Sequence, residues 1–502
     1  MKKIFYLLCA AVTILTTSCG KDFITAKHNS SEPIDEYFIN ESRMYESLVA
    51  AYDPLHWFDY FYQYCDLKLV SDIMADDIYA GGSNEGDQPP LVKTHYYTLT
   101  ATDTEQCSKI WTVCYSGINR ACVVLEHVSD VPGMSEETKN LYRAEAMILR
   151  AYYYNWLWKF WGNVPYYEEN LTSPYTCAQL GHDDVYAGII KTIEDALALN
   201  VLPMKAEGGK EGRVTKAMAY MLYADVVMYQ NDNSRYQTAL KYMKEIIDSG
   251  QYALVDDYAS IWLESGEWNS ESIWEINYIS EGGIRDWGSP IACGGSVTPI
   301  LIGIPGAEVD FADGWGFGGV AKSAYDMYDD TDVRRDGGIL NLETYVTSAG
   351  GKETCTPRWE TEGFYLLKYI GRKNGNHGYL ASDNLNYGNN SRIYRYAETL
   401  LNAAELSVLL GSDGSAYLKQ VRDRAKCQDT GTSRDDIIQE RRKEFLGEGK
   451  RYWDLVRSGL ASSVLKASNH AYRQNDWTES KKYWPIPQSE MDKDPNLVQN
   501  EY

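Results

Sequence analysis

The feature that most constrains this chain is a helical period that returns along most of its length. The segments "SRMYESLVAAYDPLHW", "LYRAEAMILRAYYYNWLWKFWG", "VYAGIIKTIEDALAL", "TKAMAYMLYADVVMYQ", "YQTALKYMKEIIDSG" and "RIYRYAETLLNAAELSVLLG" all place apolar residues three and four apart. On a strand that spacing would scatter apolar side chains over both faces; on a helix it gathers them into one stripe that must be buried. Asp183, ahead of the helix holding Ile189 and Ile190, and Gly250, after Ser249, supply start and stop signals. Two-residue alternation is sparse, with "ESIWEINYIS" (271–280) and "EGFYLLKYI" (362–370) the best strand candidates.

Segments 217–229 and 236–249, joined by "QNDNSR", predict two antiparallel helices. Ala217, Tyr220 and Ala224, then Ala239 and Tyr242, alternate small and large as in a tetratricopeptide unit of about thirty-four residues. The expected fold is therefore mostly α, with four tetratricopeptide-like pairs as scaffold: 41–55 with 105–128, 135–161 with 184–199, 217–229 with 236–249, and 392–410 with 434–457. Long loop-rich insertions and a few short strands complete it. Residues 281–391 differ from the scaffold in being rich in glycine, asparagine and aromatic rings, and 70–104 share that loop character. Long irregular segments in a compact protein are usually functional or disordered, and the aromatic content of these argues for ordered loops.

The start of the chain reads as an export signal. Lys2 and Lys3 precede an apolar run from Ile4 to Leu15, and Thr16, Thr17 and Ser18 are small residues suited to cleavage. The run is too short for a bilayer core, which takes roughly twenty residues. An ordinary secretory signal is one reading; the sharper one is a lipoprotein signal cleaved before Cys19, which then carries lipid. The aliphatic Leu15 lies four residues before Cys19, and Thr16 fills the slot three before it. The expected organisation is signal 1–18, anchored leash 19–40, an amino-terminal helical part 41–280, and a carboxyl-terminal part 281–502 with its ligand region in 281–391.

Composition excludes several classes. A formal charge of −23, or −25 once Lys2 and Lys3 leave with the signal, repels phosphate backbones and argues against nucleic acid. The ten cysteines form no Cys-x-x-Cys pair, and Cys107, Cys114 and Cys122 recur along one helical face as buried apolar thiols. The seven histidines do not pair at ligand spacing, so neither a metal nor another cofactor is expected.

Seven blocks in order then resemble one family, the SusD/RagB outer-membrane lipoproteins of glycan-scavenging bacteria. They are "CGKDFI", "WTVCYSGINRACVVLEHV" (111–128), "RAEAMILRAYYYNWLWKFWGNVPYY" (143–167), "GRVTKAMAYMLYADVVMY" (212–229), "RYAETLLNAAE" (395–405), "IIQERRKEFLGEGKRYWDLVRSG" (437–459) and "YWPIPQSEMDKDPNLVQNEY" (483–502). The resemblance implies a non-catalytic, lipid-anchored binding protein on the outer membrane, facing outward. It would cap a SusC-like, TonB-dependent transporter and deliver oligosaccharides or polysaccharides, or peptides in the RagB branch. A membrane-tethered glycosidase is the remote alternative, requiring two carboxylates across a cleft.

Within the charged block, Glu440, Glu444, Glu448 and Asp454 stand beside Arg441, Arg442, Arg451 and Arg457. Glu448 with Arg451, and Asp454 with Arg457, sit at the helical spacing of structural ion pairs. For ligand, sugar rings stack C–H faces on aromatic rings and need short polar partners. "AYYYNWLWKFWG" has helical spacing and reads as core. The loop aromatics are the candidates: Trp315 and Phe317 of "DGWGFGG", where glycines can present rings at a loop tip, with Trp287 and Trp359. From the earlier loop come Asp77, Tyr79, Asn84 and Tyr96. No tryptophan lies between Trp57 and Trp111, so a starch-type aromatic arc on that loop is not supported.

Overall fold

A computed structural model of the chain describes residues 37–280, 285–289, 291, 294–350, 352, 354–373 and 385–502. Cys19 and the signal lie outside these residues. The scaffold helices are α1 (Glu41–Tyr52), α2 (Thr104–His127), α3 (Glu136–Trp161), α4 (His182–Ala198), α5 (Lys216–Gln230), α6 (Tyr236–Asp248), α7 (Tyr396–Leu409), α8 (Ser415–Ala425), α9 (Arg434–Glu444) and α10 (Arg451–Arg457). Each packs on the next from α1 to α8, the nearest-neighbour stacking of a tetratricopeptide-like solenoid.

Local chemistry sets the helix ends. The Ser135 and Thr215 side chains accept the backbone N–H three residues on, starting α3 and α5. Gly162 and Asn231 end the same helices at φ 68° and 58°, conformations glycine and asparagine tolerate best. The core runs through α3, where Tyr152, Tyr153, Tyr154, Trp158, Phe160 and Trp161 are all buried, so this aromatic run is packing. Cys107, Cys114 and Cys122 are buried along α2. Burial pushes their thiols up, that of Cys122 to about 11, leaving them un-ionised at neutral pH.

Three of the expected pairs form as predicted in outline; the fourth is rearranged. Residues 391–395 are a strand antiparallel to 272–276, not the start of a helix, and α7 begins at Tyr396. The neighbour that follows α7 is α8, whose sparse apolar set of Leu418, Val421 and Ala425 gave little periodic signal. The segment 434–457 breaks into α9 and α10 at Gly447 and Gly449, which hold φ +77° and +73°. A Cβ there would meet the Leu366 side chain at 2.6 Å and the Lys68 backbone at 2.8 Å, so only glycine lets the corner close. Strand 364–366 pairs with 339–341, as one of the two strand candidates anticipated in position.

The charged block sits at the centre of this corner. Arg395, Arg424, Arg334 and Lys368 surround Glu271, Glu444, Glu448 and Glu440, all buried or nearly so. Asp454 bonds Arg457 at 2.7 Å, as the spacing predicts. Glu448 does not bond Arg451: it holds Arg395 and Lys368, each at 2.7 Å, while Arg451 reaches Asp76 at 2.8 Å. The helix break at Gly447 and Gly449 turns the two side chains apart. Burial alone would raise the Glu444 carboxyl, but Arg424 and Arg395 hold it well below the usual range, and Arg441 and Arg457 hold Asp454 at about 2. Glu444 and Asp454 are each gripped by arginines in the interior, not presented to one another across a cleft.

Candidate functional site

Four rings close a circuit at one edge of the loop region. Trp287 stacks on Trp315 with centroids 6.0 Å apart and planes 24° from parallel. Tyr64 stands edge-on to Trp315 at 5.6 Å, Tyr60 edge-on to Trp287 at 5.4 Å, and the two tyrosines touch at 5.4 Å. These are the edge-to-face and offset geometries aromatic quadrupoles favour. Trp287 is 44% exposed, so the circuit opens an indole to solvent. Burial raises the Tyr60 and Tyr64 phenols, which therefore remain neutral hydroxyls.

Each ring is set by its local backbone. Asp286 folds a turn in which its carboxylate accepts the N–H groups of Gly288 and Ser289, both at 2.8 Å, lifting Trp287 outward. Trp315 is carried on a strap rather than a loop tip. The N–H groups of residues 314–317 bond carbonyls of Ile304, Ile300, Gly303 and Leu301, and Gly82 donates to Gly316 from the other side. A Cβ on Gly314 would lie 2.2 Å from the Gly303 backbone, so "DGWGFGG" needs its glycines for close approach of two chains. Tyr60 and Tyr64 come from "DYFYQYC" (59–65), bridged antiparallel to each other. The sequence reading passed these two over, although tyrosines at 60, 62 and 64 alternate with the period of an extended segment.

The other candidate residues are placed elsewhere. Phe317 points inward against Gly82 and is 2% exposed. Asp77 is buried and holds the Arg442 guanidinium at 2.5 Å. Tyr79 and Tyr96 are buried too, with hydroxyls donating to Glu362 at 2.7 Å and to Glu360. The cover is a carboxyl-terminal strap that sequence reasoning did not connect with this loop. His470 and Tyr472 each meet Tyr79 edge to face, Arg473 bonds the carbonyls of His95, Ile73 and Ala75, and Asn475 bonds that of Tyr96. Trp359 packs half-buried on Ala80, Val92 and Tyr96, in a cluster separate from the four rings. Asn84 is exposed but folds its own turn, accepting the Gly86 N–H at 2.9 Å. Thus Trp287 and Trp315 come together with ring surface to offer, while Phe317, Asp77, Tyr79 and Tyr96 have almost none.

Among the described residues, two clusters reach ligand spacing for a cation, Asp329–Asp332–Cys427 and Cys427–Asp429–Glu440. Asp332 holds Arg334, Asp429 holds Lys443, Glu440 holds Arg422 and Arg334, and Asp329 accepts the N–H groups of Thr331 and Gln428. Burial also pushes the Cys427 thiol up to about 11. A cavity of about 60 Å³ walled by Lys68, Lys159, Asp225 and Trp156 has room for a few waters.

Against solved structures, the chain aligns with surface glycan-binding protein A of Bacteroides thetaiotaomicron, solved with laminarihexaose. Identity is 43% over 92% of this chain and all of that one, with a TM-score of 0.87. The chain belongs to the SusD-like family. A model of the SusD family matches residues 320–502, and one described as starch-binding, associating with the outer membrane, matches 77–228. A laminarin-binding SusD-like protein is 30% identical over 92% of this chain and 99% of its own, with a TM-score of 0.81. SusD-like protein P25 of Formosa agariphila is 23% identical over 93% of this chain and 92% of its own. In this SusD-like chain Tyr60 and Tyr64 precede the matched segments and Trp287 and Trp315 lie between them. The scaffold thus carries the family match, and the four rings fall outside it. Among the described residues, no helix is long and apolar enough to cross a membrane.

Proposed function

We propose that this SusD-like protein is anchored through Cys19 to the outer membrane, binds glycan at the cell surface, and hands it to a SusC-like, TonB-dependent transporter without catalysing a reaction. The observation that carries the reading is the four-ring circuit, an uncharged aromatic surface suited to the C–H face of a neutral sugar. Two relatives of the same fold, 43% and 30% identical, are described with laminarihexaose and with laminarin. A neutral glucan of that kind is the ligand we infer here, through Trp287 and Trp315. Hand-over favours modest affinity, with a dissociation constant of about 1 µM to 1 mM, or about −8 to −4 kcal/mol.

Calorimetric titration with laminarihexaose, starch oligosaccharides, acidic glycans and a mixed peptide pool tests this. Heat from the laminarin oligosaccharide, lost in Trp287→Ala and Trp315→Ala variants that keep their helical circular dichroism, is the expected result. Heat from peptides alone would replace the reading with a RagB-type peptide lid. Release of reducing sugar on incubation would refute the absence of catalysis. Cys19→Ala is expected to move the protein from the membrane fraction to the soluble one.

A further inference from the structure

Beside the Tyr60 ring, 5.9 Å from its centroid, lies the guanidinium of a buried ion pair that the binding reading does not use. Arg285 is fully buried, and its guanidinium grips Asp59 through two bonds of 2.7 and 3.1 Å. The same guanidinium donates to the carbonyls of Tyr60 at 2.6 Å and Gly295 at 2.8 Å. Asp59 in turn accepts the Val297 N–H at 2.7 Å. The carbonyl of Arg285 accepts from Asn386 at 2.9 Å, and Ser296 exchanges backbone bonds with Tyr387. One fork therefore ties 59–60 to 285 and 295–297, more than two hundred residues further along the chain.

The stretches it ties are those that carry the rings. Tyr60 follows Asp59 immediately, and Trp287 lies two residues beyond Arg285. The edge-on contact between Tyr60 and Trp287 is thus set by the clip beside it. A buried ion pair is weak evidence for stability, because desolvating two charges offsets most of their attraction. What a planar, bidentate fork supplies is fixed geometry, which lysine's single ammonium does not reproduce. We infer that Arg285, clamped by Asp59, is a positioning residue that holds Trp287 against Tyr60 and Trp315 and so presents the aromatic surface to glycan before any ligand arrives. Preorganisation of this kind raises affinity by lowering the ordering cost of binding. The inference rests on the proposed glycan site.

The decisive variant is Asp59→Asn/Arg285→Met in the full-length protein held in mild detergent. It removes both charges of the pair together and keeps an acceptor for the Val297 N–H, while the Tyr60 and Gly295 carbonyls lose the guanidinium as donor. Three quantities are read: affinity for laminarihexaose, the near-ultraviolet circular dichroism of the stacked indoles without ligand, and the thermal midpoint of the helical scaffold. Positioning predicts affinity at least tenfold weaker and a collapsed indole signal, a loss larger than any fall in the midpoint from the two freed carbonyls accounts for. Arg285→Lys is expected to fall between the two. Unchanged affinity with an unchanged indole signal overturns the inference, and so does a loss of affinity that merely tracks a lowered midpoint. If the double variant does not fold, Asn386→Ala, which releases the Arg285 carbonyl and the Gly295 N–H while leaving the Arg285–Asp59 pair in place, is read by the same three quantities with the same outcomes. Trp287→Ala and Trp315→Ala run alongside as separate controls. If these leave affinity untouched while the double variant still collapses the indole signal, the glycan site was misplaced, and the clip stands as a device that orders the rings.

Discussion

Replacing Arg395 with methionine tests whether the buried charge network behaves as its geometry requires. Arg395 is 1% exposed and meets Glu271, Glu444 and Glu448. Each of those carboxylates keeps another cation when it goes: Arg424 for Glu271, Arg424 and Arg334 for Glu444, Lys368 for Glu448. The variant therefore leaves one buried negative charge too many, spread over three groups. Removing one partner of a buried pair typically costs about 3–5 kcal/mol; the remaining cations put this case toward the lower end. The network can relieve itself by taking up a proton. In the wild type Arg424 and Arg395, against the opposing effect of burial, hold Glu444 well below the usual range, so uptake there requires strong acid. Without Arg395 a folded-state carboxyl pKa rises above its unfolded value. That added protonation favours the fold at low pH and is lost as pH rises, so the penalty should shrink between pH 7 and pH 5. Urea unfolding followed by circular dichroism at both values measures it. Wild-type stability of Arg395→Met at pH 7, or a penalty larger at pH 5 than at pH 7, would refute the reasoning.

Other perturbations have outcomes as definite. An indole of about 250 Å² with 44% of its surface exposed, half of that covered by a sugar, contributes about 1.4 kcal/mol. Trp287→Ala should accordingly weaken laminarihexaose binding about tenfold by calorimetry, and Trp315→Ala by more, since Trp287 and Tyr64 both rest on that ring. Burial, aided by Arg473, depresses the His470 imidazole to about 3, so the fold excludes a proton the unfolded chain binds below about 6.5. Stability should then fall by about 1.4 kcal/mol per pH unit from this group as pH drops from 6.5 toward 3, and His470→Gln should remove that slope in denaturant titrations. Gly314→Ala forces a Cβ to 2.2 Å from the Gly303 backbone; a cost of about 1–3 kcal/mol and a shifted Trp315 fluorescence maximum are expected.

The helical period of the sequence was sufficient to place α1 to α6 and to assign "AYYYNWLWKFWG" and the three α2 cysteines to the interior. Those features depend on side chains within a few turns of one another, which spacing reports directly. The family, too, was legible, because its blocks lie along the scaffold. Where the reading failed, the deciding contact was distant. Helix α8 is polar on most of its surface and is held by α7, and 391–395 is a strand because residues 272–276 pair with it. Glu448 turns from Arg451 toward Arg395, fifty-three residues away, because two glycines break the helix between them.

The site shows the same division most sharply. A sequence names aromatic residues in loops but not which of their faces remain uncovered. Tyr79 and Tyr96 had the composition of a binding loop, yet a strap nearly four hundred residues further along lies over them. Trp287 had no more local signal than Trp359, yet it is Trp287 that meets Trp315, joined by tyrosines from positions 60 and 64. By itself the sequence determined the helices, the interior and the family, because each is written in short-range periodicity or in residues that follow one another. Only the tertiary structure decided which rings form a surface, because exposure is a property of what the rest of the chain leaves uncovered.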